Sequence, residues 1–267
     1  MTAPSPDHPS RDSFLVDQNL RSAMRFFGQA TGTGSIRKFE RAEAVYSGLD
    51  YGVFNIAFLT AAVSAGRDLS DILMQCSAYY RERKVRWSFW LCEDLLDPPP
   101  RRRSRDIFAD FGLRPISQAP GMLAAEVLPA SRPLPEIELR PVNGPAMRAA
   151  FGELTSVCFD IPLNVARAVY EPELAWEGSY RGFVGFARDR AVSIVALVRD
   201  RGSLGIYSLG TLPEFRRQGY GEALLRQAIA HYRQQELLVL ESTEAGYPLY
   251  RRLGFRDVAK FTVYLTR

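Results

Sequence analysis

Histidine and cysteine are scarce in this chain of 267 residues, with two of the first (His8, His231) and three of the second (Cys76, Cys92, Cys158). Two isolated histidines give no basis for a histidine-held catalytic metal, and no metal site is expected. An odd number of cysteines without paired spacing offers neither a disulfide framework nor a zinc site, so a reducing cytoplasm is the expected setting. No apolar run reaches the length of a membrane span. The formal net charge of +4 is too small for a nucleic-acid-binding stripe, though it suits a small anionic ligand. Residues Met1 to Ser13 are rich in Pro and Ser and lack an apolar h-region, which predicts a disordered tail and not a signal peptide. What the chain does have is apolar residues, 46% of the total, enough to build a real core in one or two domains.

The most telling stretch runs from Thr211 to Leu225: a strand stopped by Pro213, a basic loop, and a helix opened by two glycines. Gly219 and Gly221 let the backbone turn tightly and approach a ligand. The helix behind them leaves its first N–H groups unpaired and presents the positive end of its dipole. With Arg216 and Arg217 on the approach, these residues read as a site for an anionic phosphate group. A dinucleotide fingerprint or a P-loop needs other glycine spacings, and neither is present. The pattern Arg216-x-x-Gly219-x-Gly221 resembles the coenzyme-A pyrophosphate loop of the GNAT N-acetyltransferase superfamily.

The chain also repeats itself. Ile72 to Arg81 aligns with Leu224 to Arg233, matching Leu73 with Leu225, Gln75 with Gln227, Ala78 with Ala230, Tyr80 with Tyr232 and Arg81 with Arg233. A β-rich run follows each (Val85 to Cys92, Leu237 to Leu240), and then Ile107 to Leu113 aligns with Leu249 to Phe255. The insertion Asp97 to Ser104 explains the change of offset. Two copies of one αβα unit are predicted. The Pro- and Ser-rich segment Pro129 to Pro135 is the expected boundary.

In the second half, Glu136 to Val142 reads as a strand, Asn143 as the cap of a helix to about Phe159, and Pro162 to Glu171 as a second helix. Three strands follow (Phe183 to Ala187, Ala191 to Val198, Leu204 to Leu212), patterned as an antiparallel meander. The glycine-opened helix, a strand at Leu237 to Leu240, a helix around Pro248 to Leu253 and final strands from Phe255 to Leu265 complete a mixed α/β sheet with helices on its faces.

Leu249-Tyr250-Arg-Arg-Leu-Gly254-Phe255 resembles the LYxxxGF segment that follows the fifth strand of GNAT enzymes. With the glycine loop before it, the resemblance covers residues 136 to 267. It implies an α/β fold of the mixed α+β kind: two tandem GNAT (acyl-CoA N-acyltransferase) folds, each a mostly antiparallel central sheet flanked by helices. The expected division is a tail at 1–13, a degenerate GNAT-like domain at 14–130 and a catalytic GNAT domain with an acetyl-CoA site at 131–267. In the first copy, Ser64, Arg67 and Leu69 stand where Arg216, Gly219 and Gly221 stand in the second, so no phosphate cradle is expected there. Phe108 stands where Tyr250 does, with the ring but no hydroxyl.

The resemblance further implies that the strands Ile206 to Leu212 and Leu237 to Ser242 splay to admit a pantetheine arm, whose amides pair with backbone near Leu209 and Thr211. Backbone N–H groups from Arg217 through Gln218, Gly219, Tyr220 and Gly221 to Glu222 hold the pyrophosphate. A primary amine of a small molecule or peptide attacks the thioester directly while a strand N–H polarises its carbonyl. Tyr250 supplies a proton to the thiolate. Many members carry an Asn after the fifth strand; here Ser242 and Thr243 occupy that region, and Thr243 is the candidate substitute. The base for the incoming ammonium is open among Glu241, Glu244, Glu214 and water, with Glu241 the best placed.

Each of these residues has a plainer reading as a solvated charge or, for Tyr250, a space-filling ring. His231 reads as a half-buried packing residue, Trp87, Phe89 and Trp90 as core, and Arg101 to Arg103 as an exposed loop. The expected activity is an acetyl-CoA-dependent N-acetyltransferase, monomeric or homodimeric, with no membrane partner and no nucleic acid. The competing reading is a non-catalytic acyl-CoA-binding regulatory protein.

Overall fold

The computed structural model describes residues 10–267, so residues 1–9 of the expected tail lie outside the described residues. Where that tail was expected to end, a 20-residue helix has already begun: α1 (Arg11–Ala30). The Ser10 hydroxyl caps it by accepting from the Ser13 N–H, and Asp12 faces the positive end of the dipole. Val16, Leu20, Ala23 and Met24 repeat at helical spacing and are buried.

The first half continues as β1 (Ser35–Lys38), β2 (Ala42–Tyr46), β3 (Ile56–Leu59), α2 (Gly66–Glu82), β4 (Ser88–Cys92), α3 (Pro98–Asp110) and β5 (Leu113–Ala124). The second half adds β6 (Glu138–Pro141), α4 (Pro145–Phe159), α5 (Leu163–Tyr170), β7 (Tyr180–Ala187), β8 (Arg190–Asp200), β9 (Ser203–Thr211), α6 (Tyr220–Tyr232), β10 (Leu237–Glu241), α7 (Tyr247–Arg252) and β11 (Arg256–Thr266).

All the strands form one sheet, in the order β1-β2-β3-β4-β11-β5-β10-β9-β8-β7-β6. Two pairs are parallel, β3 with β4 and β9 with β10, and the rest are antiparallel. The halves are joined by exchange of their last strands. β11, from the second half, lies between β4 and β5. β5, from the first half, lies between β11 and β10. Neither half closes its own sheet. The tandem architecture read from the repeat is therefore one fused sheet, and a core cluster of the first half contains Val239, Phe261 and Tyr264 from the second.

Some local expectations change. Asn143 does not cap α4; Gly144, at φ +79°, takes that place and Pro145 opens the helix. Arg101 to Arg103 lie on α3 and not in a loop, because the prolines after Asp97 occupy the first turn, where no N–H is needed. The final stretch is one long strand, β11. His231 is exposed in the last turn of α6, not half-buried. Phe108 is core, stacked on Tyr264 with centroids 4.0 Å apart, and Trp87 and Phe89 are buried.

The shared strands make the halves one cooperative unit. Phe261→Ala, which removes a fully buried ring from β11, is expected to cost about 3–5 kcal/mol. Calorimetry should show a single transition moved down as a whole. Two transitions, with one unmoved, would contradict the fused sheet.

Candidate functional site

The parallel pair β9·β10 is zipped only at its start. Leu237 pairs with Ser203, Leu238 with Leu204 and Val239 with Gly205, and pairing then stops although β9 runs on to Thr211. β10 instead stays with β5 out to Glu241 opposite Gly121, and the Ser242 N–H donates to the Pro120 carbonyl. On its other side β9 stays with β8, past an irregularity between Tyr207 and Gly210. Ser208, in that bulge, has φ +49°, a conformation side chains rarely adopt. The two strands are thus drawn apart by their outer neighbours, leaving a wedge that Leu209 and Thr211 border.

The loop after β9 ends at the wedge. Arg217 has φ +62° and Gly219 φ +100°, and Gly219 caps α6 in the left-handed region. Among the described residues, no backbone N–H from Arg217 to Glu222 donates to a backbone acceptor; the first loop-to-helix bond is Ala223 to Gly219. That row of open donors stands at the start of a 13-residue helix, the place where a helix presents the positive end of its dipole. A side chain at Gly221 would place its Cβ 2.9 Å from the Thr211 hydroxyl, so strand and helix meet closely here.

The side chains around the loop mostly hold its shape. Arg216 Nε donates to the Thr211 carbonyl (3.0 Å), and the Gln218 amide donates to the Glu214 carbonyl (2.7 Å). Tyr220 packs edge-on to Phe215, and Glu222 is paired with Arg226, which leaves its backbone free for a ligand. Arg132, in the linker between halves, donates to the Arg217 carbonyl (3.2 Å), bringing another cation beside the loop. No periodicity or motif marks Arg132 in the sequence.

Beyond β10 the chain turns tightly into α7. The Thr243 carbonyl and hydroxyl both accept from the Gly246 N–H, so the proposed substitute for Asn is engaged in this turn. Tyr250 is buried, edge-on to Phe255, and its ring lies against Gly246. Burial, and then the nearby Glu241 charge, raise its phenol, which holds its proton throughout the neutral range. Gly254, at φ +95°, ends the turn as the sequence predicts.

Of the carboxylates, Glu214 pairs with Arg190 and Glu244 is exposed. Glu241 differs from both. Its Oε1 is buried without a hydrogen-bond partner, and among the described residues it has no ion pair. Burial and then Asp17 raise its carboxyl well above the usual range.

α1 brings residues to this place that the sequence reading missed, although Ser10 and the 3.6-residue apolar spacing mark the helix. Asn19 donates to the Val198 carbonyl (3.0 Å) and the Ser203 hydroxyl (2.9 Å), and accepts from the Tyr207 hydroxyl (2.8 Å). It lies flat on Gly205, where a Cβ would fall 1.9 Å from its Oδ1. Asp17, fully buried, faces Arg21 at 3.0 Å. Burial pushes its carboxyl up to about 7, against the pull of Arg21.

The first half has no equivalent opening. After β3 pairs with β4, the chains rejoin: the Val63 N–H donates to the Leu95 carbonyl (2.8 Å) and the Asp97 N–H to the Val63 carbonyl (3.0 Å). Leu69, aligned with Gly221, is a fully buried core residue.

A cavity of about 510 Å³ lies elsewhere, lined by Arg148, Trp176, Phe183, His231 and Tyr232. It sits at the far end of α6 from the glycine loop, about 20 Å away at 1.5 Å per helical residue. It has no part in the wedge. Among the described residues no helix is long and apolar enough to cross a membrane, and no cluster of His, Cys, Asp or Glu is arranged to hold a metal.

Residues 150–255 match the family described as "Acetyltransferase (GNAT) family". No curated protein matches the sequence. Among solved structures, a GCN5-related N-acetyltransferase from Kribbella flavida superposes with a TM-score of 0.69 at 16% identity, over 96% of this chain and 95% of that one. One from Sphaerobacter thermophilus gives 0.55 at 16% identity, over 99% and 94%. A tandem GNAT protein from the clavulanic acid biosynthesis pathway gives 0.55 at 12% identity, over 94% and 95%. At such identities these structures establish the fold alone.

The buried carboxylates imply a pH signature. Asp17 has a folded value of about 7 against an ordinary 3.8, so the stability it contributes is present below about pH 4 and is lost as pH rises through 7. Asp17→Asn removes this titration. Relative to the variant, the wild-type melting temperature should fall between pH 4 and pH 8. Parallel curves would show that Asp17 is not held protonated.

Proposed function

Because residues 150–255 match the GNAT acetyltransferase family, we propose that the chain transfers an acetyl group from acetyl-CoA to a primary amine of a small molecule or peptide. The observation that carries this reading is the alignment of two features. The open N–H row from Arg217 to Glu222 suits a pyrophosphate, and it sits at the mouth of the wedge between β9 and β10, which suits an extended pantetheine arm. Acetyl-CoA supplies the activated thioester. Arg216, Arg217 and the N–H groups of Gln218, Gly219, Tyr220, Gly221 and Glu222 are the proposed phosphate contacts. Backbone at Leu209 and Thr211 is the proposed edge for the pantetheine amides, with Thr243 beside it.

The chemistry assigned to the side chains follows from their surroundings. The amine must lose a proton before its lone pair can attack the carbonyl carbon. Glu241, half-buried next to the wedge with its Oε1 buried and unpartnered, is the proposed acceptor of that proton. As the C–N bond forms the C–S bond breaks, and the departing sulfur gains a proton from Tyr250. With its phenol raised, Tyr250 is a weak acid for a thiolate, so it serves as a close hydrogen-bond donor while charge develops. The engaged Thr243 hydroxyl favours a second reading, an acyl-CoA-binding regulator that keeps the loop and lacks turnover. Tight CoA binding without thiol release on any amine would select it.

Gly221→Asp places an anion and a Cβ at the loop, and should weaken CoA binding by about a hundredfold or more in calorimetry. Unchanged affinity would remove the loop from the site. Tyr250→Phe should slow turnover by roughly ten- to a hundredfold while CoA affinity stays near wild type. Equal rates would take Tyr250 out of the mechanism.

A further inference from the structure

β5 is an inner strand of the sheet, yet much of it lacks one neighbour. β10 pairs with it only from Gly121 to Ala124, and the Ser242 N–H adds one bond at the Pro120 carbonyl. From Ala119 back to Leu113 it keeps β11 alone. Arg114, Pro115, Ile116, Ser117 and Gln118 are all exposed.

The backbone on the unpaired side is open. Strand residues turn their N–H and C=O groups to alternate sides. Pro120 turns its carbonyl toward β10, so Gln118, two residues back with no break in register, turns both of its groups the same way. Among the described residues no loop backbone takes either group. An unpaired strand edge is a template for another strand. Pro115 and Pro120 bracket this one. Neither has an N–H to donate, which confines pairing to a short segment and disfavours a second copy of the chain laid along the whole edge.

The open edge begins where the wedge opens. Counting on from the aligned trio Gly205, Val239 and Leu123, Leu209 of β9 falls about level with Ala119 of β5. β10 no longer stands between them, because after Ser242 its chain turns off into α7 through the Gly246 to Thr243 bond. Strands two places apart stand about 10 Å from each other, so a slot one strand wide remains. α1 closes one face of the sheet at the foot of this slot. Val16 Cγ1 lies 3.0 Å from where a Cβ on Gly121 would fall, and Asn19 lies over Gly205.

We propose that the open edge of β5 receives an extended peptide as an added strand, and that the acceptor is the N-terminal amine of that peptide. The inference rests on the acetyl-transfer reading and names its acceptor. A peptide whose N-terminus points at the end of β10 runs onward in the direction of β10, antiparallel to β5. Its backbone bonds Gln118 as the backbone of β10 bonds β5 further along. Its amine then lies beside Glu241 and Leu209, at the inner end of the slot. The nitrogen attacks the thioester carbonyl, the C–N bond forms and the C–S bond breaks. Of the two protons that the ammonium nitrogen gives up, one ends on sulfur and one goes to solvent. A small amine fits the same place but gains nothing from the edge. The first half thus has a part in the reaction: its last strand holds the substrate that the second half acetylates.

The test compares alaninamide with C-terminally amidated alanine peptides of increasing length, acetyl-CoA being the donor throughout. kcat/KM should rise about a hundredfold with length and level off where the edge ends at Leu113. N-methylation of single backbone amides should cost about tenfold at alternate positions and little between them, the mark of a strand. Equal kcat/KM for alaninamide and the longest peptide would overturn the proposal, as would a cost without alternation. Gln118→Pro, which removes the open N–H, should raise KM for the peptide about tenfold and leave KM for alaninamide and acetyl-CoA near wild type. An unmoved peptide KM would count against the edge. The N-methyl series uses wild type and so stands if that variant does not fold. A dimer in sedimentation that Gln118→Pro dissociates would give the edge to a second copy and overturn the proposal. The acetyl-transfer reading fails separately, on CoA binding without thiol release from any amine. Calorimetry of the same peptide series then decides the edge alone: binding with the alternation supports it, and no binding overturns it.

Discussion

The pairing of β5 with β11 is the interaction on which the remainder of the molecule depends. It runs antiparallel from Leu113 opposite Thr266 to Leu123 opposite Arg256, and it places each half's last strand inside the other's sheet. Without it β10 has no partner to pull it away from β9. The wedge is a consequence: β10 follows β5 to Glu241, β9 follows β8 to Thr211, and the gap opens between them. The same pairing fixes Gly121 and thereby the seat of α1. One register thus sets the fused core, the opening and the helix over it.

The two halves differ at the corresponding place in the sheet, and backbone hydrogen bonding accounts for the difference. In the second half the strands part and the loop N–H groups stay open. In the first half Val63 joins Leu95 and Asp97, and Leu69 fills the space that Gly221 leaves clear. No ligand could enter there without breaking buried hydrogen bonds.

Much of this was legible in the sequence because it depends on short-range rules. Gly219, Gly221 and Gly254 announce left-handed or close-approach positions, and two of them have φ near +100°. The wedge strands, the tandem repeat and the core role of Phe108 also followed from spacing and type. The strand exchange did not, since either half's last strand suits either slot by pattern alone. Arg132 was hidden because a linker residue gains its position from packing. α1 was overlooked for a different reason. Pro and Ser before Ser10 drew the tail reading across a helix whose cap and apolar spacing were both present. Missing it concealed Asp17 and Asn19.

The central claim is that the wedge and the loop form one coenzyme-A site under a helix from the first half. A crystal structure of the full chain grown with CoA tests it most directly. The account predicts pyrophosphate oxygens on the N–H groups between Arg217 and Glu222, the pantetheine arm between β9 and β10, and its sulfur end toward Tyr250 and Glu241. CoA lodged instead in the cavity beside Trp176 and His231, with the wedge empty, would contradict it.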